Sequence, residues 1–206
     1  MNGCFVTATD TGVGKTVVTA GLAASLRARG RDLALLKPVQ SGATESDPAG
    51  DAALLGADCV YAFAAPLAPL VAARAEGRKI ELEPILRRAR ELAGAHELLL
   101  VEGAGGLLAP LGEKLDVADL ALALELPLLI VARAGLGTVN HTLLTVEAAR
   151  SRGLEIIGVV LNGFTDESTA TNADLIEERG AVRVLAHVPW LADPADAARF
   201  LDDVLV

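Results

Sequence analysis

The chain has 206 residues, 52% of them apolar and 22% charged, a balance that predicts a globular protein with a substantial core. Its net charge of −9, from 27 acidic against 18 basic residues, argues against a nucleic-acid surface, where phosphate neutralisation needs clustered Lys and Arg. The richest apolar stretch, over 59–73, is broken by Pro66 and Pro69 and is too short to span a bilayer. No basic and apolar leader opens the chain, and Cys4 and Cys59 are too few for a disulfide framework, so a cytoplasmic protein with no membrane partner is expected.

Short apolar runs alternate with helical patterns along the chain. Strands are predicted over 4–8, 33–37, 98–102, 128–132, 156–162 and 183–187. Most are continuous β-branched or leucine runs, as in strands buried on both faces. Helices are predicted near 14–29, 67–76, 82–94, 116–125, 138–152, 168–179 and 195–205. Aromatics are only 3%, so the core between them must be built from Ala, Leu and Val. The alternation predicts an α/β fold, a mostly parallel sheet with helices on both faces, and with no dividing linker residues 1–206 read as one domain. In such sheets ligands bind beyond the carboxyl ends of the strands, so function is sought in the residues that follow each strand.

The first strand runs into TATDTGVGKT and a helix. Phosphate binding needs converging backbone N–H groups, small residues for close approach and a helix N-terminus aimed at the charge. Gly12 and Gly14 supply the small residues, Lys15 reaches outer phosphates, and the Thr16 hydroxyl suits Mg²⁺. The usual phosphate-loop pattern wants glycine at position 9, where this chain has Thr9; the alternative is a tight turn with Lys15 merely solvated. The second strand ends in KPVQSG, where Pro38 keeps Lys37 out of helical geometry, and Ser41 and Gly42 offer a hydroxyl and a backbone amide. The third ends in VEGAGG, placing Glu102 where a Mg²⁺-organising acid belongs, with Gly103, Gly105 and Gly106 opening the backbone. Asp51 caps a short helix or serves as a second metal carboxylate, and local sequence leaves both open. Later strands end in Asn162 and in Pro189, Trp190 and Leu191. An amide and an apolar turn suit a purine, although Trp is more often core. His96, His141 and His187 are scattered and read as structural; the basic run at 87–90 reads as a solvated helix face.

The strings TDTGVGKT, KPVQSG, VEGAGG, GLGTVNHTLLT and HVPWL, in this order and over nearly the whole chain, resemble the dethiobiotin synthetases. That family uses a phosphate loop one residue longer than usual, whose first glycine falls at Ala8, a departure tolerated unless the site needs positive φ. The resemblance implies a P-loop NTPase-like three-layer sandwich and an ATP- and Mg²⁺-dependent ring closure in biotin synthesis. The family forms a carbamate from 7,8-diaminononanoate (7,8-diaminopelargonate) and CO₂ and phosphorylates it. The second amine then displaces phosphate, closing the ureido ring of dethiobiotin. Carried over residue by residue, it implies Lys15 and Lys37 as catalytic cations and Thr16, Asp51 and Glu102 as metal ligands. The AALL pattern after Asp51 favours it over nearby Asp47. Gly12 to Val17, Gly103, Ala104 and Gly105 would hold the nucleotide. Asn162, Gly163, Pro189, Trp190 and Leu191 would take its base, and Val13, Gly14 and Val17 belong to the loop. Thr11 and Ser41 would contact the diamine. The working unit implied is a homodimer in which Leu136, Gly137 and Asn140 of one subunit receive the carboxylate of diamine bound to the other, with Thr138 capping the following helix. Two rivals fit less well. A partition-type switch ATPase carries a lysine five residues before the loop lysine, where this chain has Asp10, and a cobyrinate-type amidating synthetase usually appends a glutaminase domain.

Overall fold

The computed structural model describes residues 1–44 and 47–205. In chain order its elements are β1 (Gly3–Ala8), α1 (Lys15–Ala28), β2 (Leu33–Ser41), α2 (Asp51–Leu55), β3 (Asp58–Phe63), α3 (Pro69–Ala75) and α4 (Leu82–Ala95). There follow β4 (Leu98–Glu102), β5 (Pro110–Gly112), β6 (Leu115–Asp116), α5 (Val117–Leu124), β7 (Leu128–Arg133) and α6 (Thr138–Ser151). The chain closes with β8 (Ile156–Gly163), α7 (Thr169–Gly180), β9 (Val184–Pro189) and a 3-10 helix over Pro194–Phe200. The main sheet is parallel throughout, in the order β3-β2-β4-β1-β7-β8-β9, and β5 and β6 form a small antiparallel pair.

Alternation along β1 shows how the layers are held. Cys4, Val6 and Ala8 point to one face, where they meet Val18, Leu22 and Leu26 of α1, with Ala197 and Leu201 of the C-terminal segment. Phe5 points to the other, packing with Ile85 and Leu92 of α4 and Leu120 and Leu124 of α5. On that same face Val146 of α6 and Ile176 of α7 cover Ile130 and Ala132 of β7. The outcome is the three-layer α/β sandwich expected from the alternating pattern. β1 sends its crossover toward β2 while its neighbour β4 sends its own toward β7. Connections leaving in opposite directions open a crevice at the carboxyl ends of these strands.

Besides the unpredicted pair β5 and β6, three elements differ from the sequence expectation. The second strand does not stop at Lys37 but runs through Pro38 to Ser41. Pro38, which has no N–H, falls between the pairs Lys37↔Cys59 and Val39↔Tyr61, beyond the last β2–β4 pair at Leu36↔Val101. The segment 58–63, read only as apolar chain, is the edge strand β3, paired on one side with β2. The helix expected over 195–205 is a 3-10 helix, Pro194–Phe200, followed by turns.

Candidate functional site

The loop after β1 is shaped by glycine where the backbone demands it. Gly12 has φ +73° and Gly14 φ +96°, the left-handed region in which L side chains are strained. A Cβ on Gly14 would also fall 1.9 Å from Asn162 Nδ2. Ala8, by contrast, is not among the positive-φ residues and lies fully buried at the end of β1, so alanine is accommodated there. Gly14 occupies the N-cap position of α1 and can offer no side-chain cap, and the first turn holds no acidic residue. The helix therefore begins with uncompensated N–H groups and the positive end of its dipole facing the crevice.

Beside that helix start lies a cluster of buried charge. Lys37 Nζ is 2.6 Å from Glu102 Oε1, 2.8 Å from Asp51 Oδ2 and donates to Gly103 O at 3.2 Å. The Thr16 hydroxyl stands 3.0 Å from both Asp51 Oδ1 and Glu102 Oε1. The Lys37 and Glu102 side chains are 2% and 0% exposed, whereas Asp51, at 45%, opens to solvent. Burial alone would discharge Lys37, but Glu102 and Asp51 outweigh it and hold the ammonium above the ordinary lysine value. Burial likewise raises Asp51, and the Lys37 charge with the hydrogen bonds from Lys37 and Thr16 brings it below the usual carboxylate range. Lys15 has no such pair. Its ammonium reaches only the Asp10 carbonyl, at 3.3 Å, and burial, with Lys37 as a like-charged neighbour, pulls it from 10.5 down to about 8.

A hollow of about 650 Å³ opens over this cluster. Lys15, Thr16, Lys37, Asp51, Thr11, Ser41, Ala104 and Gly105 line it, and Pro66 and Ala68, which follow β3, form its outer wall. Gly103 contributes its carbonyl to Lys37 rather than a surface to the hollow. Asp51 is the first residue of α2 and makes no cap, since its carboxylate turns toward Lys37 and Thr16. Asp47 instead accepts the Ala49 N–H at 2.9 Å and stays outside the hollow. The short-helix cap considered for Asp51 thus gives way to the charge cluster, and Asp47 takes the turn.

On the other side of the phosphate loop a second hollow, about 640 Å³, is lined by Gly12, Val13, Gly14, Val17, Asn162, Gly163, Leu136 and Trp190. Asn162 Nδ2 donates to Val13 O at 2.9 Å, tying β8 to the loop and leaving one N–H and the amide oxygen free of that bond. Trp190 is not core but 59% exposed, and it stacks on Phe164 with ring centroids 5.5 Å apart. Pro189 and Leu191 do not line this hollow: Pro189 pairs with Gly163 in the sheet, and Leu191 packs against the α1-side core.

The turn before α6 is rearranged relative to expectation. Its N-cap position is Gly137, at φ +89°, and Thr138 is the first helical residue, fully buried with its hydroxyl 3.4 Å from that of Thr142. Thr138 is therefore no cap. The Leu136 N–H is taken by Asp166 Oδ2 at 3.0 Å, so one of the amides expected to face outward already holds a carboxylate. Leu136 itself is 81% exposed, and Gly137 and Asn140 are exposed beside it.

Residues the sequence reading passed over also border the site. Arg133, at the end of β7, lies 3.2 Å from Asp10 and so brackets the start of the phosphate loop. Phe164 stands two positions after Asn162, and an aromatic so close to a strand end was a usable signal. Arg133 carried no such mark, because its partner lies 123 positions away in sequence. The three histidines form no catalytic arrangement with one another: His96 pairs with Asp32 on the surface at 2.9 Å.

Comparison with known proteins narrows the chemistry. A family profile described as an AAA domain matches residues 2–198. The ATP-dependent dethiobiotin synthetase BioD of Anaeromyxobacter dehalogenans (strain 2CP-C) is 51% identical, the match covering 100% of this chain and 97% of that protein. The enzyme of the same name from Bacillus subtilis (strain 168) is 44% identical over 94% of this chain and 89% of its own. Among solved structures, the MinD chain of the Aquifex aeolicus MinC:MinD complex superposes with a TM-score of 0.63 at 16% identity, over 97% of this chain and 86% of that one. A ParA family ATPase from Chlorobium tepidum gives 0.60 at 16% identity, covering 97% and 90%. Likeness at that identity speaks for the fold, which is that of the P-loop ATPases, whereas the sequence matches speak for the family. On those near-full-length identities, the chain belongs to the dethiobiotin synthetases.

Proposed function

We propose that the chain converts 7,8-diaminononanoate and CO₂ to dethiobiotin at the expense of ATP, releasing ADP and phosphate, in biotin biosynthesis. The observation that carries the residue assignment is a buried, charged lysine fixed between two carboxylates at the mouth of an open phosphate loop. One amine adds to CO₂, losing a proton, and the resulting carbamate oxygen takes the γ-phosphoryl group. The second amine then attacks the carbamoyl carbon and gives up a proton, phosphate leaves with the bonding pair, and the ureido ring closes. Phosphoryl transfer asks the protein for position and charge rather than a nucleophile. The Gly12–Thr16 loop and the α1 N-terminus cradle the phosphates, and Lys15 and Lys37 bracket the carbamate and the moving phosphoryl group. Thr11 and Ser41 contact the diamine from the same hollow.

The donor set also fits Mg²⁺. Thr16, Asp51 and Glu102 present only oxygen, Glu102 Oε2 is buried without a hydrogen-bond partner, and a cation, the Lys37 ammonium, already rests between the carboxylates. Among the described residues no cluster of three or more His, Cys, Asp or Glu side chains stands as a protein-only metal centre, and Thr16, Asp51 and Glu102 would hold the ion together with the nucleotide. When bound, Mg²⁺ supplies charge neutralisation on the phosphates. Adenine sits in the second hollow, against Asn162, Gly163 and Trp190. A homodimer is part of the proposal: Leu136, Gly137 and Asn140 receive the carboxylate of a diamine held by a second copy, and the exposed Leu136, Leu108 and Leu144 support a surface made for covering. No described helix is long and apolar enough to cross a membrane, in keeping with a proposed cytoplasmic location.

The assay combines protein, diamine, bicarbonate, Mg²⁺ and ATP, with the cyclic urea followed by mass spectrometry and phosphate by release. Phosphate is expected only when all components are present, because the acceptor is carbamate rather than water. Vigorous hydrolysis without diamine, and no cyclic urea with it, would sink the synthetase in favour of a switch ATPase.

A further inference from the structure

Gln40 is 3% exposed and commits its amide on three sides. Its Oε1 accepts the Ala52 N–H at 3.0 Å, and its Nε2 donates to Thr44 O at 3.1 Å and Ala43 O at 3.4 Å. Reversing the amide would set N–H against N–H and oxygen against two carbonyls, so a single orientation satisfies the site. Ala52 belongs to the first turn of α2, a helix of only five residues whose N-cap position, Gly50, has no side chain to cap with. A helix this short does not hold itself in water, where about 12–15 residues are marginal, so it depends on groups outside it. Gly50 in turn leaves the space the glutamine needs: a Cβ there would stand 3.2 Å from Gln40 Nε2 and 3.0 Å from Ala43 Cβ.

Asp51 immediately precedes Ala52, and its carboxylate must reach Lys37 at 2.8 Å and Thr16 at 3.0 Å from the far end of a long connection. We propose that Gln40 is a positioning residue for Asp51. By capping α2 from the neighbouring strand and pinning the start of the connection at Ala43 and Thr44, it delivers the one solvent-facing carboxylate of the charge cluster to the cation side of the site. β2 thus carries two functions three positions apart, Lys37 as the cation and Gln40 as the clamp on the cation's second partner. The functional consequence rests on the proposed metal role of Asp51; the capping itself does not.

The test uses Gln40→Leu, Gln40→Glu, Asp51→Asn and the Gln40→Leu/Asp51→Asn pair in the full-length protein. Amide exchange over 51–55 in the free Gln40→Leu protein is expected about tenfold faster, the scale of one lost buried hydrogen bond, with exchange in α1 unchanged. Mn²⁺ affinity in the presence of a non-hydrolysable ATP analogue, read by electron paramagnetic resonance, is expected to weaken about tenfold, the scale of a lost support behind a metal-binding carboxylate. Gln40→Glu keeps an acceptor for Ala52 but faces two carbonyls, and it falls between; if Gln40→Leu does not fold, both readouts pass to this variant. In the Asp51→Asn background Gln40→Leu should weaken Mn²⁺ no further, as two changes acting through one group do not add. Unchanged exchange over 51–55, or losses that add in full, would overturn the proposal. If Asp51→Asn alone leaves Mn²⁺ binding intact, the metal role of Asp51 fails, and the exchange measurement still decides whether Gln40 caps α2.

Discussion

Two lysines share one crevice, and their surroundings shift them in opposite directions. Lys37 is neutralised by Glu102 and Asp51 and remains protonated through the working range, whereas Lys15 is buried with only a carbonyl for a partner and sits at about 8. That difference suits their proposed roles, one permanently charged and one that becomes fully charged when phosphate arrives. The linkage has a definite sign. Because Lys15 in the folded protein lies below its ordinary 10.5, the unfolded chain holds more protons between about 8 and 10.5, and the stability of the free protein gains from this group as pH rises through that window. Bound phosphate should restore the proton. Calorimetry of ATP-analogue binding at pH 8.5 in buffers of different ionisation enthalpy is therefore expected to show proton uptake that Lys15→Ala abolishes; uptake unchanged in that variant would assign the shift elsewhere.

At the level of elements, α1 joins two regions, because its start faces the crevice proposed for phosphate and its middle meets the C-terminal segment. Gly21 lies in that middle, where helix propensity disfavours glycine by about 1 kcal/mol. The packing explains it: a Cβ would stand 2.7 Å from both Ala197 Cβ and Leu201 Cδ1, and Ser25 ties the same face to Asp202 at 2.6 Å. Gly21→Val should wedge these apart and lower the unfolding free energy by about 1–3 kcal/mol in urea titration. KM for ATP should change less than about twofold, since the wedge lies beyond the first turn of α1. A large KM change at full stability would mean that the C-terminal segment acts on the loop directly. The edge strand β3 is a comparable case, since the residues after it, Pro66 and Ala68, wall the hollow that β1, β2 and β4 build from within.

For the molecule as a whole, the crevice between β1 and β4 collects groups from positions 11 to 105 over one floor, while the 135–140 turn lies with the second hollow across the phosphate loop. In the proposed dimer that turn serves the other subunit. A Lys37→Ala subunit mixed with one whose 136–140 turn is disrupted should therefore recover one working site per heterodimer, because one interface inherits both intact halves. Proven heterodimers without activity, or a fully active monomer, would place the carboxylate site within one chain. The Leu136 N–H is bonded to Asp166 and the Thr138 N–H to Gly135 O, so in the proposed dimer that carboxylate would turn to Gly137 and to the α6 amides after Thr138.

Local pattern carried much of this architecture. Continuous apolar runs announced six strands of the main sheet, helical periodicity located α1 and α3 to α7, and glycine next to lysine at a strand end marked the phosphate loop. Those features depend on neighbours a few positions apart, which is the range over which side-chain periodicity and backbone preference act. Edge strand β3 escaped because its apolar run continues through Ala64 and Ala65 toward α3, so the whole stretch read as one apolar segment. Thr138 looked like a cap by its residue type, but the N-cap position falls one residue earlier, at Gly137 with its left-handed backbone, and Thr138 opens the helix where one was expected. That Asp51 rather than Asp47 meets Lys37, that Gln40 accepts from Ala52 and that Arg133 meets Asp10 all depend on pairings between strand ends and loops. Sequence supplied the residue types for these contacts, but only the parallel sheet, by bringing the carboxyl ends of β1, β2, β4 and β7 together, decided which of them meet.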